Sequence, residues 1–462
     1  MKRRLASLAP MATGTALLLL LLSPASCSKD QVPVAPNQAI TGSKSPPSAT
    51  ATLAPSQGAV VLKSGVSLSQ FLNANGLVLV TTIPNMPAVG GFPARWYYCV
   101  RTADGSNFAD KTGFASFQNS VDWYSENDDV RLVEDDIPNL PVGPDRDGLT
   151  FDDVNNPKYT YAEYLDQEAF AQVQLVEART VSEGDPSTVI ALLDTGVDTS
   201  HPLFQTPQAS FQLGGNYIVM PPTGGITESP GNSQDDDGDT YPDDAEGHGT
   251  YVAGLIYSAA RQATIRVYKV LNDEGLGTIF GLSKAIRAAE LAGVEVISLS
   301  AGTLQDNEML HHVIAQAVAQ GIVVVTSAGN KNVDLDESGN MQYPAAWPEV
   351  VTVSAVDADD VKFVHANHGS VVDLVAPGVD VISAIPSVYY PHRYASTSGT
   401  SSAVPWVSGT IAAVMEARSL TAMQAYEVLH HDVDVIENPG YELGRGRLNM
   451  ARAVGYVPPP KP

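Results

Sequence analysis

Between residues 186 and 375 the chain alternates continuous apolar runs with amphipathic stretches. The runs at 188–193, 264–271, 294–300, 321–326, 350–354 and 372–375 carry few charges and are rich in Val, Ile and Leu. Residues 280–292 and 307–320 have a helical period instead. Strands apolar on both sides and separated by helices predict a parallel sheet covered on both faces, a doubly wound α/β domain. Ligand sites in such sheets lie at the carboxyl ends of the strands.

The text before residue 140 reads differently. Short β-like runs at 60–62, 76–80 and 96–100, with a helix-to-strand pattern over 120–133, predict a small α+β unit. Residues 139–156 are rich in Pro, Gly and Asp and mark a domain boundary. Residues 29–56 are rich in Pro, Ser, Thr and Ala, have no periodicity, and read as a flexible tether.

Charge narrows the function classes. The 462 residues carry a net charge of −25, which excludes the basic stripe that nucleic-acid binding needs. The acidity reads as a solvated, repulsive surface. The two cysteines, Cys27 and Cys99, are no disulfide framework. Cys99 lies in a β-like run and is expected to be a small buried residue rather than a reactive thiol.

Lys2, Arg3 and Arg4, the apolar stretch 16–22 and the small residues before Cys27 form an export signal. The stretch is too short for a membrane-spanning helix. With Ala25 and Ser26 before Cys27, the segment resembles a bacterial lipoprotein signal, although Pro24 stands where Leu is usual. That resemblance implies lipid attachment at Cys27 and an exported protein, outer-membrane-anchored or secreted. An ordinary secretory signal cut nearby is the alternative.

Three motifs carry the chemistry. Asp194-Thr-Gly-Val-Asp198 follows an apolar strand. Gly247-His248-Gly249-Thr250 opens a helix, and Gly399-Thr400-Ser401-Ser402-Ala403 opens another that runs to about Arg418. A serine hydroxyl is a poor nucleophile near neutral pH and needs a neutral imidazole to take its proton. A buried carboxylate must hold that imidazole in the right tautomer. A nucleophile at a helix start also has free backbone N–H groups beside it.

In the order Asp, His, Ser on a parallel α/β pattern, these residues resemble the subtilase family of serine endopeptidases, and the resemblance spans about residues 156–454. It implies a catalytic triad of Asp194, His248 and Ser401, acting through an acyl-enzyme. Ser327-Ala328-Gly329-Asn330 follows a strand as the family's oxyanion asparagine does, so Asn330 is the expected oxyanion donor. Ser300, Ala301 and Gly302 resemble the edge that pairs with an extended substrate, and with Ser327, Ala328 and Gly329 would wall the first specificity pocket. Gln342 is expected near its floor. Protein or peptide chains are the expected substrates, a monomer the expected state, and no cofactor is required for the chemistry. Three positions depart from the family pattern: Tyr251 for a second His, Ser402 for Met, and Trp406 for His.

The resemblance also assigns the α+β unit as a propeptide acting as intramolecular inhibitor, an unrelated accessory domain being the alternative. The expected organisation is then signal 1–27, linker 28–57, propeptide-like domain 58–138, processing region 139–156, peptidase domain 157–455 and tail 456–462. Asp235, Asp237 and Asp239 alternate in an acidic loop and suit structural calcium, a hard cation preferring oxygen ligands; a solvated acidic insertion is the other reading. The pairs His311-His312 and His430-His431 lie on helix-like segments, where neighbours do not share a face, and are expected at the surface. Two further function classes remain open at this point: a non-catalytic peptide-binding lipoprotein, and a serine esterase on the same triad.

Overall fold

The fold was read from a computed structural model, which describes residues 56–126, 129–132, 159–218, 247–272, 275–386, 393–438 and 440–459. Cys27 and the acidic loop with Asp235, Asp237 and Asp239 lie outside the described residues, as does the processing region. Among the described residues no helix is long and apolar enough to cross a membrane.

The chain opens with β1 (Gln57–Leu62), α1 (Leu68–Asn75), β2 (Leu77–Met86), β3 (Arg95–Thr102), α2 (Ala109–Thr112), α3 (Ala115–Ser120) and β4 (Val121–Glu126). The strands form an antiparallel sheet in the order β2-β3-β1-β4. Side chains alternate across its faces, as the two-residue period of a strand requires. Val60 and Val100 face the helices with Phe71, Phe108 and Phe117, while Ala59, Val61, Tyr97 and Cys99 face away from them. The pattern over 120–133 resolves as the end of α3, then β4, then a separate short strand β5 (Asp129–Leu132).

The second part begins with three short helices, α4 (Tyr161–Leu165), α5 (Glu168–Gln172) and α6 (Leu175–Arg179). Next come β6 (Val189–Asp194), β7 (Ser210–Asn216), α7 (His248–Ala259), β8 (Thr264–Lys269), β9 (Leu276–Thr278) and α8 (Ile279–Leu291). They are followed by β10 (Val296–Leu299), β11 (Ala301–Gly302), α9 (Glu308–Ala319), β12 (Val323–Ser327), β13 (Val351–Val356) and β14 (Leu374–Pro377). The hairpin pair β15 (Val381–Ala384) and β16 (Tyr394–Thr397) precedes α10 (Thr400–Arg418), α11 (Ala422–His431) and α12 (Met450–Val454). Seven strands form one parallel sheet in the order β14-β13-β12-β10-β6-β8-β7.

The apolar runs are explained by this sheet, because its central strands are covered twice. Ile190 and Leu192 of β6 join the core under α7, α10, α11 and α12. Their neighbours Ala191 and Leu193 join the opposite core, under α8 and α9. Helix α10 is buried on all sides from Thr400 to Val414, as expected of a helix apolar around its whole circumference. The chain lays down β6 near the middle, then β7 and β8 to one side and β10, β12, β13 and β14 to the other. The order therefore reverses beside β6 and β10, the place where ligands bind in open sheets of this kind.

The N-terminal sheet packs its second face on α8 and α9. Ile83, Met86 and Tyr97 are buried in the same cluster as Leu282, Ile286, Leu310 and Val313. Each buried large apolar side chain contributes about 1.5–3 kcal/mol, so packing holds this unit in place. Arg95 with Glu308, at 2.5 Å, and Lys284 Nζ donating to Thr81 Oγ1, at 2.6 Å, add polar registration.

The histidine pair on α9 departs from the surface placement expected of it. His312 is fully buried between the two units: Tyr97 Oη lies 2.9 Å from Nδ1, and Pro87 O lies 2.8 Å from Nε2. His311 is half-buried, stacked on Trp347 and bonded to Glu349 at 2.5 Å. Adjacent positions on the helix do point apart, but one of them points into a contact made by a distant stretch of chain. Of the second pair, His431 is exposed and His430 is half-buried, stacked on Tyr426. Cys99 is buried as expected, and burial pushes its thiol up to about 12.

Candidate functional site

The first two motifs meet at the carboxyl end of β6, and the third opens α10, whose start touches α7 through Tyr251 and Ser402. Asp194 is the last residue of β6 and is fully buried. Its Oδ1 accepts from the Thr195 N–H at 2.7 Å and lies 2.6 Å from His248 Nδ1. A carboxylate only accepts, so the ring donates from Nδ1, and Nε2 is then the basic nitrogen. His248 is the first residue of α7, and three local features hold it there. Gly247 precedes it at φ 71°, in the left-handed region. The Gly249 N–H donates to Thr195 Oγ1 at 3.0 Å, and the Asp198 N–H donates to Thr250 Oγ1 at 2.8 Å. A Cβ at Gly249 would sit 1.9 Å from Gly196 O, so no other residue fits.

Ser401 is the second residue of α10 and is 1% exposed. Its Oγ makes no hydrogen bond among the described residues. Such contacts are often long in the resting state and tighten with substrate bound. Pro405, four residues on, lacks the N–H that would otherwise bond the Ser401 carbonyl.

Asn330 lies just past β12 and is fully buried. Thr400, the first residue of α10, fixes it. The Thr400 N–H donates to Asn330 Oδ1 at 2.9 Å, and Thr400 Oγ1 accepts from the Gly329 N–H at 3.2 Å. This clasp sets the amide's orientation. Oδ1 is taken, and Nδ2 is buried with no partner among the described residues. An orphaned buried donor costs about 1–3 kcal/mol, which is sustained where a ligand completes it.

The residues expected to form the binding edge are placed as follows. Ala301 and Gly302 form β11, with Ser300 before them. Ser327 ends β12, Ala328 and Gly329 follow it, and all three are buried. Ser300 Oγ and Ser327 Oγ lack partners among the described residues. Gln342 is buried against Gly329, where an added Cβ would meet its Oε1 at 1.9 Å. Between β11 and β9 lies a strand of the chain itself. Residues of β5 pair antiparallel with both: Leu132 with Ala301, Arg131 with Gly302 and Leu276, and Val130 with Gly277.

Two residues were not singled out from the sequence. His201 is fully buried in the loop that follows Asp194. Its Nδ1 accepts from the Leu203 N–H at 3.1 Å, and Nε2 lies 2.8 Å from Arg393 O. Burial pulls its pKa down to about 4. Lys269 is fully buried at the end of β8, level with Asp194, and donates to Thr195 O at 2.6 Å. Asp198-Thr-Ser-His201 was a local signal for the first, since a polar run after a buried strand must find partners. Lys269 ends an apolar strand and carried no such signal. Among the described residues no group of three His, Cys, Asp or Glu side chains is placed to hold a metal ion.

Comparison with known proteins shows the family. A family model described as the subtilase family matches residues 185–446. Thermitase of Thermoactinomyces vulgaris is 32% identical over 314 residues, covering 65% of this chain and 99% of thermitase. The intracellular serine protease of Paenibacillus polymyxa is 32% identical over 280 residues, covering 56% of this chain and 78% of that protein. Among solved structures, a lanthipeptide protease is similar with a TM-score of 0.53 and 26% identity, over 63% of this chain and 94% of its own. Fervidolysin from Fervidobacterium pennivorans, at 18% identity, shares the fold over 88% of this chain and 61% of its own, with a TM-score of 0.63. The chain belongs to the subtilase family, the subtilisin-like serine endopeptidases.

Proposed function

We propose that the chain hydrolyses peptide bonds through an acyl-enzyme formed on Ser401. Ser401 Oγ attacks the scissile carbonyl carbon while His248 Nε2 takes its proton. Asp194 holds the imidazole by Nδ1 and stabilises the cation that forms. The carbonyl oxygen becomes an oxyanion and accepts from Asn330 Nδ2. His248 then returns the proton to the leaving amine, the C–N bond breaks, and water repeats the sequence to free Ser401. The observation that carries this reading is the buried pair Asp194–His248 at 2.6 Å, with the oriented Asn330 amide bonded to the residue before Ser401.

The same reading makes the N-terminal unit a propeptide. The support is β5, which fills the lane between β9 and β11 as an extended substrate would. Backbone pairing of this kind gives affinity with little sequence choice. Processing falls beyond β5, the protein is exported, and lipid attachment at Cys27 places the anchor on the part that is cut away. Calcium bound by Asp235, Asp237 and Asp239 would have a structural role only.

One experiment tests the core of this. Wild type and Ser401→Ala are incubated side by side, their N-termini sequenced, and both treated with a fluorophosphonate. Self-processing and labelling are expected in wild type alone. Identical processing in both, or no labelling of processed wild type, overturns the proposal. Turnover of ester substrates with none of matched peptides would assign an esterase instead.

A further inference from the structure

His248 and Ser401 begin two different helices, so the distance between them is set by how α7 and α10 sit against each other. No hydrogen bond of Ser401 Oγ itself sets that distance among the described residues. One turn along α7 from His248 is Tyr251, fully buried. Its hydroxyl donates to Val381 O at 2.7 Å and lies 3.1 Å from Ser402 Oγ. A carbonyl oxygen only accepts, so the tyrosine proton is committed to Val381. The other contact therefore runs from the Ser402 hydroxyl to Tyr251 Oη. Ser402 adjoins the nucleophile and is also fully buried. The Tyr251 carbonyl in turn accepts from Ser383 Oγ at 2.7 Å.

This makes a directed chain, Ser402 to Tyr251 to the Val381 carbonyl, that joins the start of α10 to α7 and to β15. The aromatic ring is a stiff spacer with two rotatable bonds, and both hydroxyls sit where no water competes. The two partners are the positions at which this chain departs from the family pattern beside its histidine and its nucleophile. A misplacement of about 1 Å between reacting groups costs roughly 100-fold in rate.

We propose that Tyr251 and Ser402 are positioning residues that set the register of His248 against Ser401. They touch neither substrate nor the transferred proton. The proposal rests on the Asp194–His248–Ser401 reading, and its test separates the two.

The test uses the self-processed enzyme, with active sites titrated, in wild type, Tyr251→Phe, Ser402→Ala and the double variant, and the unprocessed Ser401→Ala chain as control. The readouts are kcat, KM, the fluorophosphonate labelling rate and Tm. Each single variant is expected to lower kcat and the labelling rate about 5- to 20-fold, with KM within twofold. The double variant is expected to be no worse than the poorer single one, because both break the same contact. A kcat and labelling rate within twofold of wild type in a folded single variant overturns the proposal, whatever happens to Tm. Multiplying losses in the double variant overturn it too. If Tyr251→Phe does not fold, Ser402→Ala decides by the same kcat criterion. Peptide turnover by Ser401→Ala would instead overturn the triad reading itself.

Discussion

Acid should loosen this enzyme first around His201, by an amount the structure allows to be worked out. The imidazole is fully buried, accepts at Nδ1 from the Leu203 N–H and faces the Arg393 carbonyl with Nε2. That arrangement needs the neutral ring with its proton on Nε2. Desolvation lowers the pKa from 6.5 to about 4, opposed by the hydrogen bond to the Arg393 carbonyl and by Asp198, and assisted by the Arg393 charge. Above pH 6.5 both folded and unfolded chains hold a neutral ring, and the native state bears no penalty. Below 6.5 the unfolded chain takes up a proton that the native one refuses until about pH 4. Stability is therefore lost as pH falls between those values and levels off below. The gap of about 2.5 units is worth about 3 kcal/mol. His201→Asn removes the titration while its Oδ1 keeps the acceptor for Leu203. Guanidinium unfolding, followed by tryptophan fluorescence in a Ser401→Ala background, should be run from pH 7.5 to 4 on both proteins. The stability difference should shift by about 3 kcal/mol in favour of the variant at the acid end. A difference that stays flat across the range refutes the reasoning.

Three other outcomes are expected. Asn330→Ala should lower kcat by about 100- to 1000-fold with little change in KM, a range that comes from a subtilisin itself; steady-state assays on peptide substrate check it. Gly249→Ala should abolish folding of the peptidase domain or its activity, because the new Cβ meets Gly196 O at 1.9 Å; circular dichroism and phosphonate labelling together distinguish the two. Burial lowers the pKa of His312, so its contacts with Tyr97 and Pro87 are strongest with the ring neutral, above pH 6.5, and weaken as pH falls below it. The protection of β3 amides in the Ser401→Ala chain, corrected for intrinsic exchange, should fall on acidification, and Tyr97→Phe should lower it several-fold at neutral pH.

What the sequence disclosed depended on whether a signal was local. Strands such as β6, β10 and β12 are covered on both faces, so a continuous apolar run announces each of them. Asp194, His248 and Ser401 stand where a strand ends or a helix begins, and the Gly residues around them mark those junctions. The clasp between Thr400 and Asn330 joins residues 70 apart, and no local pattern encodes it. Strand β7 escaped because it is an edge strand of mixed polarity with Gly214 and Gly215 in it. β5 and β9 are four and three residues long, and their identity as strands comes from the neighbours they pair with. His312 was misplaced for the same reason. Helical spacing correctly separates it from His311, but its burial is caused by Tyr97, 215 residues away.

Both backbone edges of residues 129–132 are engaged, and the segment is covalently continuous with the unit docked on α8 and α9. In the proposed reading, a substrate strand entering that lane meets a rival whose local concentration is about millimolar, set by tether length. While the chain is intact, dilution does not relieve the occupancy, because empty and filled lanes are states of one molecule. A single backbone cut makes the contest bimolecular, and from then on the volume into which the fragments spread decides how many lanes stand open.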